Sequence, residues 1–411
     1  MSERRYVQIW LMLTIVPLGL VLALNLVVDP YRLRLAGSIG DAGILRPDVY
    51  SFVRVNKAFG IAREDADVVL LGSSRVQWGF ERDAPPFTGR RPFNLALSGP
   101  RFDEVWATFQ CMLAHGTPRT AIVGLDFTAF NMRGAPETQL FRCTDSWDRA
   151  LSAYVSGTAF NATLAAIRST LADNDPGSRA SRQVLDANGF SRSSLRFEPY
   201  LKTDGHHTLF RTVEDSYMGA YASFSLTDAR GKSLFPDFRA MLKRARASGI
   251  ELKVFIQPEH ARQLELVRAA GLWPTYEEWK RTLATIVDEE SGGNGNTLEL
   301  WDFGNYDSVT TEALPAKGDV QSRMKYFTDV SHYTPVVGQM ILMRLLGDEQ
   351  TQGSVPQTFG HRLTTHNLEE RLAEVRRAQA DYRAAHASEV FEIERRMTLR
   401  LKQMPPLATD R

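Results

Sequence analysis

Two short blocks, far apart in the chain, carry residue types that could catalyse acyl transfer. Residues 68–75 read VVLLGSSR, so an apolar run ends in a Gly-Ser turn, and residues 329–332 read DVSH. A buried strand that ends in such a turn places a serine hydroxyl at the carboxyl edge of a parallel sheet, where open α/β sheets bind ligands. Serine needs a base to take its proton, and Asp329 with His332 supplies a base and a carboxylate to orient it. The two blocks together predict nucleophilic serine chemistry; the alternative is a structural Gly-Ser turn and an Asp-x-x-His that only caps a helix.

These blocks resemble those of the SGNH (GDSL-type) hydrolase and acyltransferase superfamily, whose members carry a nucleophilic serine after the first strand and an Asp-x-x-His near the end of the domain. In plan the chain is similar to the membrane-anchored branch that works on bacterial envelope polymers, such as the alginate and cellulose O-acetylation proteins and the lipoteichoic acid D-alanylation protein. The resemblance covers residues 30–350 and rests on short blocks. It implies that Ser74 is the nucleophile, that His332 is the general acid and base, and that Asp329 orients the imidazole.

The resemblance also implies an oxyanion hole built from the backbone N–H groups of Ser74 and Gly99. A glycine at that position lets the backbone approach a substrate closely. The third donor of the family is an asparagine in a Gly-x-Asn-Asp block, and this block is missing. The corresponding strand end, residues 124–127, reads GLDF, and an ionised Asp126 would repel an oxyanion. Asn131, a few residues further on, is the candidate substitute.

Two further residues are candidates for substrate binding. Arg75 directly follows the predicted nucleophile and could orient an anionic polymer, or it could pair with a carboxylate. His260 follows the apolar run 252–256, which places it at another strand edge. There it could contact substrate, or it could cap the next helix.

The elements that must position these residues read as an α/β domain. Short apolar runs that suit buried strands occur at 66–71, 93–97, 121–125, 252–256 and 298–301. Because helical patterns separate them, we predict parallel βαβ units and, with the resemblance, an SGNH/flavodoxin-like three-layer domain over residues 61–350. We interpret the mostly helical stretch 130–245 as an insertion that roofs the site, and residues 29–60 as a linker onto the domain. The helical spacing of apolar side chains in residues 360–405 predicts one long amphipathic helix, packed on this domain or on a partner.

An apolar segment near the N-terminus is long enough to cross a membrane. Residues 6–28 contain no charged side chain, and at about 1.5 Å per residue such a helix matches the roughly 30 Å hydrocarbon core of a bilayer. We interpret residues 1–28 as a transmembrane anchor that contacts lipid through residues 7–28; a cleaved signal peptide and a buried core helix are the alternatives. The short tail with Arg4 and Arg5 favours an N-terminus inside the cell, which places the domain outside the cytoplasm of a bacterial inner membrane.

Composition narrows the function further. The 49 basic and 48 acidic side chains give a net charge of +1 without a long basic run, which disfavours nucleic-acid binding. We find no P-loop, no Gly-x-Gly-x-x-Gly and no His-Glu-x-x-His, and we expect neither a cofactor nor a metal. Cys111 and Cys143 suit one disulfide in an extracytoplasmic domain. Cys111 and His115 are four residues apart, but two side chains do not make a metal site.

We therefore expect a serine esterase or O-acyltransferase that acts on an envelope polysaccharide or another acyl ester. The resemblance implies a multipass membrane acyltransferase as the partner that delivers acyl groups across the membrane. The rival hypothesis is a noncatalytic domain that binds glycan or scaffolds an envelope complex. The missing asparagine block favours this rival, whereas the presence of Ser74, Asp329 and His332 opposes it.

Overall fold

The computed structural model describes residues 3–33, 44–46, 53–133, 141, 143, 154–174, 184–291 and 298–403. Its centre is one six-stranded sheet, whose strands are β1 (Val68–Leu71), β2 (Pro92–Asn94), β3 (Thr120–Leu125), β4 (Glu251–Ile256), β5 (Glu299–Asp302) and β6 (His361–Leu363). Their order is β2-β1-β3-β4-β5-β6; the first five are parallel, and β6 is antiparallel to β5. Strand order reverses between β1 and β3, the point at which open α/β sheets form a ligand crevice.

Fourteen helices are present in the described residues. They are α1 (Glu3–Val28), α2 (Val53–Ile61), α3 (Ser74–Gly79), α4 (Phe102–His115), α5 (Gly157–Leu171), α6 (Ser193–Thr203), α7 (Gly205–Ala222), α8 (Phe235–Ala247), α9 (Ala261–Ala269), α10 (Trp273–Glu290), α11 (Pro335–Leu346), α12 (Glu349–Gly353), α13 (Leu368–Ala385) and α14 (Ala387–Gln403). Helices α5 to α7 lie in the stretch 130–245, and α8 begins there and ends two residues beyond it; the described part of this stretch is mostly helical, as predicted.

The central strands are covered on both faces, and this gives the domain its layers. Alternate side chains of a strand point to opposite faces. Val69 and Leu71 pack with apolar residues of α4, α8, α9 and α10, whereas Val68 and Leu70 pack with residues of α3 and α11. All four β1 side chains are therefore buried, which explains the unbroken apolar run in the sequence.

The five predicted strands are all present, with ends that differ from the prediction by up to three residues. Strand β6 was not predicted, because three residues at a sheet edge leave no periodic signal. The single long helix predicted over 360–405 is wrong: two helices, α13 and α14, meet at His386, which has a non-helical backbone (φ −119°, ψ 36°). The chain turns there so that apolar side chains of both helices, including Leu372 and Ile393, reach the domain core.

The described part of the predicted linker 29–60 is packed against the domain. Tyr31 and Leu33 are buried, and α2 places Ala58 and Phe59 in apolar clusters. These residues therefore belong to the folded unit.

Helix α1 is long and apolar enough to span a membrane. The expected disulfide is present and joins Cys111 of α4 to Cys143, with a Cα–Cα distance of 5.1 Å.

Candidate active site

The turn after β1 presents Ser74 at the carboxyl edge of the sheet. Gly72 has φ +142°, and a Cβ at this position would lie 2.8 Å from the carbonyl oxygen of Gly124 on the neighbouring strand. Only glycine therefore lets the chain leave the strand at this point. Ser73 caps α3, because its Oγ accepts a hydrogen bond from the backbone N–H of Arg75. Ser74 is the first helical residue and is partly accessible.

Ser74 and His332 meet across this crevice. Ser74 Oγ lies 2.9 Å from His332 Nε2, and His332 Nδ1 lies 2.8 Å from Asp329 Oδ2. The other carboxylate oxygen of Asp329 accepts hydrogen bonds from the backbone N–H groups of Ser331 and His332, both at 2.8 Å. The residues predicted as nucleophile, base and orienting carboxylate thus form the continuous hydrogen-bonded chain that a serine triad requires.

The environment of Asp329 keeps its carboxylate ionised. Asp329 is 1% exposed, and burial alone would raise its pKa. The His332 imidazole and the two backbone N–H donors together outweigh burial, so the pKa of Asp329 is lowered from its usual 3.8. An ionised carboxylate can fix the tautomer with the proton on Nδ1, which leaves Nε2 free to accept the proton of Ser74.

The predicted oxyanion donors border the nucleophile. Among the described residues, none accepts a hydrogen bond from the backbone N–H of Ser74 or of Gly99. Both residues line one cavity of about 260 Å³, hereafter the narrow cavity, together with Asp126 and Asn131. Gly99 has φ +60°, a conformation that favours glycine. The geometry is compatible with the predicted pair of donors.

Asn131 is held in place by backbone groups. Its Oδ1 accepts hydrogen bonds from the N–H groups of Arg133 at 3.0 Å and Ser225 at 3.1 Å, and its Nδ2 lies 3.5 Å from the carbonyl oxygen of Ala220. A carboxamide has two N–H bonds, and one of them remains for the narrow cavity. Asn131 as the third oxyanion donor stays a prediction.

Arg75 lies beneath the site. Its guanidinium is 1% exposed and pairs with Asp126 and, at 2.6 Å, with Glu259. Its Nε donates to the backbone oxygen and to the Oγ of Ser331, at 3.1 and 3.0 Å. The structure therefore shows the carboxylate pairing that was the alternative to a substrate contact. Arg75 links the first turn of α3, which carries Ser74, to the turn that carries the triad's acid–base pair.

His260 also lies away from the reacting atoms. It is the N-cap of α9: Nδ1 accepts from the backbone N–H of Arg262 at 3.2 Å, and Nε2 lies 2.7 Å from the carbonyl oxygen of Glu312. This pairing requires the neutral ring with its proton on Nε2. Burial lowers the pKa of His260 to about 4. The helix-capping alternative is the one that the structure shows.

A second, wider cavity also borders Ser74. It measures about 770 Å³, hereafter the wide cavity, and is lined by Ser74, Trp78, Ser98, Arg196, Phe197, Tyr200, Asp204, Thr208, Leu209, Thr212, Val213, Asp329 and His332. Most of its far wall comes from α6 and α7, so the helical insertion covers the site as predicted. The Phe197 ring packs against the His332 imidazole, with a 5.6 Å distance between ring centroids.

Several residues of the site were not foreseen from the sequence. Phe197 and Tyr200 lie in a polar helix without a motif, and Tyr217 donates to or accepts from Ser331 Oγ at 2.7 Å. Only tertiary contacts bring these residues to the site. Cys111, His115 and Cys143 bring ligand atoms within 4.8 Å of one another, but both sulfur atoms are joined in the disulfide.

Comparison of the chain with models of known protein families, with curated proteins and with solved structures finds no match. The interpretation of the site therefore depends on its residues and their geometry.

Proposed function

We propose that the protein is a membrane-anchored serine esterase or O-acyltransferase of the SGNH type that acts on an envelope polysaccharide. The observation that supports this most strongly is the relay from Asp329 through His332 to an accessible Ser74, with distances of 2.8 and 2.9 Å. The relay lies at the edge of the sheet where strand order reverses. A purely structural capping motif would not need an accessible hydroxyl at its end.

The chemistry follows from these groups. Ser74 Oγ attacks the acyl carbonyl carbon while His332 Nε2 takes the hydroxyl proton. The electrons of the C=O π bond move onto the carbonyl oxygen, which becomes the oxyanion. The N–H groups of Ser74 and Gly99 would stabilise this oxyanion. The intermediate collapses, the C–O bond to the leaving alcohol breaks, and His332 returns the proton to that alcohol. The oxygen of an acceptor hydroxyl, or of water, then attacks the acyl carbonyl carbon and gives its proton to His332. The bond from the acyl carbon to Ser74 Oγ breaks, and His332 returns the proton to Ser74 Oγ.

The two cavities suggest where the two halves of an ester bind. The alcohol that leaves or accepts must reach His332 Nε2, and His332 lines the wide cavity. The oxyanion must face Gly99, which lines the narrow cavity. We therefore assign the alcohol part, a sugar unit of a polymer, to the wide cavity. Its aromatic side chains could stack on sugar rings, and its threonine hydroxyls could bind sugar hydroxyls.

With the alcohol part in the wide cavity, the acyl group is left to the narrow cavity. The size of the narrow cavity favours a short acyl group. About 260 Å³ is below the range of pockets that hold drug-sized ligands, roughly 300–1,000 Å³. Acetyl is the group we favour. Hydrolysis of p-nitrophenyl acetate should therefore be faster than hydrolysis of the octanoate ester by the same purified protein.

Helix α1 and the disulfide support the proposed location, an inner-membrane anchor with the domain outside the cytoplasm. Protease added to right-side-out spheroplasts should then digest the domain, whereas protection from protease would place it inside. A multipass acyltransferase remains the partner we expect for polymer acylation, and it should co-purify with the chain from its native membrane.

A fluorophosphonate probe tests serine catalysis directly. The wild-type protein should form an adduct on Ser74, identified by peptide mass spectrometry, and Ser74→Ala should not. Ser98→Ala is the matched control, because Ser98 lines the same wide cavity but bonds to Gln77; labelling of this variant should persist. A folded wild-type protein that the probe leaves unlabelled would instead favour the noncatalytic scaffold.

A further inference from the structure

Helix α1 divides into two parts with different surroundings. Residues 3–20 are exposed on every side. From residue 21 onward most residues of the helix are at least half-buried, and Asn25 and Val28 are buried. The buried or half-buried positions Leu22, Asn25, Leu26 and Val28 recur at helical spacing. The last two turns of the helix therefore have a face that belongs to the protein.

The partner of this face is α5. Its small residues Ala159 and Ala162 lie in the same apolar cluster as the end of α1, and Ala166, one turn further on, is also buried. Small side chains let two helices approach closely, as at the interfaces of membrane helices. Leu22 and Leu26 complete the contact by packing on a cluster that includes Ala159 and Ala162.

A buried polar contact fixes the register of the two helices. Asn25 Nδ2 donates to the backbone oxygen of Tyr154 at 2.6 Å, and Thr163 Oγ1 donates to Asn25 Oδ1 at 2.7 Å. Asn25 interrupts an otherwise apolar run, and an amide facing lipid without partners would be costly. Here the domain supplies both partners. Asn25 is thus suited to protein and not to lipid.

The end of α1 is also bound to the domain. Asp29 has φ +46° and ends the helix, and Arg46 donates to the backbone oxygens of Val28 and Asp29 at 2.9 and 2.8 Å. A cation at this end favourably meets the negative pole of the helix dipole. Tyr154 Oη donates to Asp29 Oδ1 at 2.5 Å.

From these contacts we propose that the last two turns of α1 are a permanent part of the folded domain, and that the exposed part of the helix enters the bilayer directly beneath it. The uncharged exposed residues 6–20 are about 22 Å long at about 1.5 Å per residue, shorter than the roughly 30 Å hydrocarbon core. Local thinning of the bilayer and extension of the Arg4 and Arg5 side chains to the interface accommodate a span of this length. No flexible tether is then needed between membrane and domain. The domain is held against the bilayer surface by α1 and α5.

The same contacts argue that α1 is retained in the mature protein. Removal of residues 1–28 would leave the Thr163 hydroxyl and the Tyr154 backbone oxygen without their Asn25 partner. It would also expose the alanine face of α5 to water. A signal peptide whose removal damages the domain it precedes is not a useful one, so this interface favours the anchor over the cleaved leader. This inference is independent of the serine chemistry.

The first measurement is the intact mass of the chain, purified from whole cells through a C-terminal tag. The retained anchor predicts a mass that includes residues 1–28. A mature protein that begins near residue 29 would overturn the proposal, whatever the activity of Ser74.

A double-mutant cycle tests the docked interface in the full-length protein in detergent. Thr163→Val and Asn25→Ala should each lower the Tm of the domain by about 2–3 °C, since each breaks a buried hydrogen bond. The double variant should lose less than the sum of the two. Thr14→Val is the matched control, because Thr14 bonds only within the exposed part of α1, to Trp10; its Tm should equal that of the wild type. Additive losses would exclude the Asn25–Thr163 contact that sets the register, and equal Tm values for Asn25→Ala and wild type would mean that α1 is a free tether.

Discussion

Replacing Arg75 by lysine should impair the triad without touching a reacting atom. Lysine keeps the positive charge but lacks the planar fork with which Arg75 binds Ser331 and two carboxylates at once. The variant loses the two hydrogen bonds from Nε to Ser331, at 3.1 and 3.0 Å, and hydrogen bonds to charged groups contribute about 1.5–3 kcal/mol. Because Ser331 lies between Asp329 and His332, the loss should loosen the acid–base turn relative to Ser74.

The expected magnitude follows from this loosening. A misplacement of about 1 Å can reduce a rate about 100-fold, so kcat for p-nitrophenyl acetate should fall by about 10- to 100-fold in Arg75→Lys, with little change in KM. Incomplete pairing of Asp126 and Glu259 should lower stability as well. Equilibrium unfolding of the same samples separates the two effects.

Arg262→Lys is the control for a buried arginine in general. Arg262 is 2% exposed and pairs with Glu214 at 2.7 Å and Glu389 at 2.9 Å, but it does not bond to the triad. This variant should lose stability while keeping its kcat. If Arg75→Lys and Arg262→Lys lose stability equally and both keep the wild-type kcat, Arg75 is only a packing residue and the reasoning is wrong.

Three further predictions concern single residues. Asp329→Asn should reduce kcat by about 10⁴, the cost expected when the imidazole takes the wrong tautomer, and an unchanged kcat would exclude the triad. Asn131→Ala should lower kcat by about 100-fold if its amide is the third oxyanion donor; a fall of less than about threefold in still-folded protein would leave two donors. His260→Asn should keep kcat and KM, whereas a raised KM would restore the substrate role. Burial lowers the pKa of His260 from 6.5 to about 4, so the wild type should lose up to about 3 kcal/mol of stability as pH falls from 6.5 to 4, and denaturant unfolding should show a smaller loss in His260→Asn.

The loss of stability at low pH follows from the linkage between proton binding and folding. A histidine whose pKa is lowered by folding binds its proton more weakly in the native state than in the unfolded state. Protons therefore favour unfolding once the pH drops below the unfolded value. Asparagine does not titrate and can still cap α9, so the variant lacks this contribution.

The sequence was sufficient for features that depend on local pattern. Strands β1 and β3 are buried on both faces, which requires unbroken apolar runs that are readily recognised. The Gly-Ser turn and the Asp-x-x-His block each place their groups through local backbone geometry, and the strand order brings the two together. The oxyanion donors depended on the resemblance and remain predictions.

The sequence was insufficient where a residue's role is set by partners from other strands. Arg75 pairs with Asp126 at the end of β3 and with Glu259 after β4. The local sequence around Arg75 does not indicate these contacts. The break at His386 contains neither proline nor glycine, so it results from packing. For α1, the hydropathy of the sequence shows that the helix is apolar, but it does not show which of its residues pack against the domain. Asn25, a polar residue inside an apolar run, was the available signal that part of this helix contacts protein.

Asp126 stands where the SGNH-type enzymes that this chain resembles carry an asparagine, and this difference most affects the proposed reaction. A bare carboxylate at residue 126 would oppose an oxyanion on Ser74, but both of its oxygens are engaged: Oδ1 pairs with Arg75, and Oδ2 accepts a hydrogen bond from Gln257 at 2.6 Å. Arg75 also pairs with Glu259 at 2.6 Å, so its guanidinium offsets part of the negative charge near Ser74. The substitution removes one oxyanion donor, at a cost of about 100- to 1,000-fold in rate, and the ion pair with Arg75 limits the repulsion that the carboxylate would add.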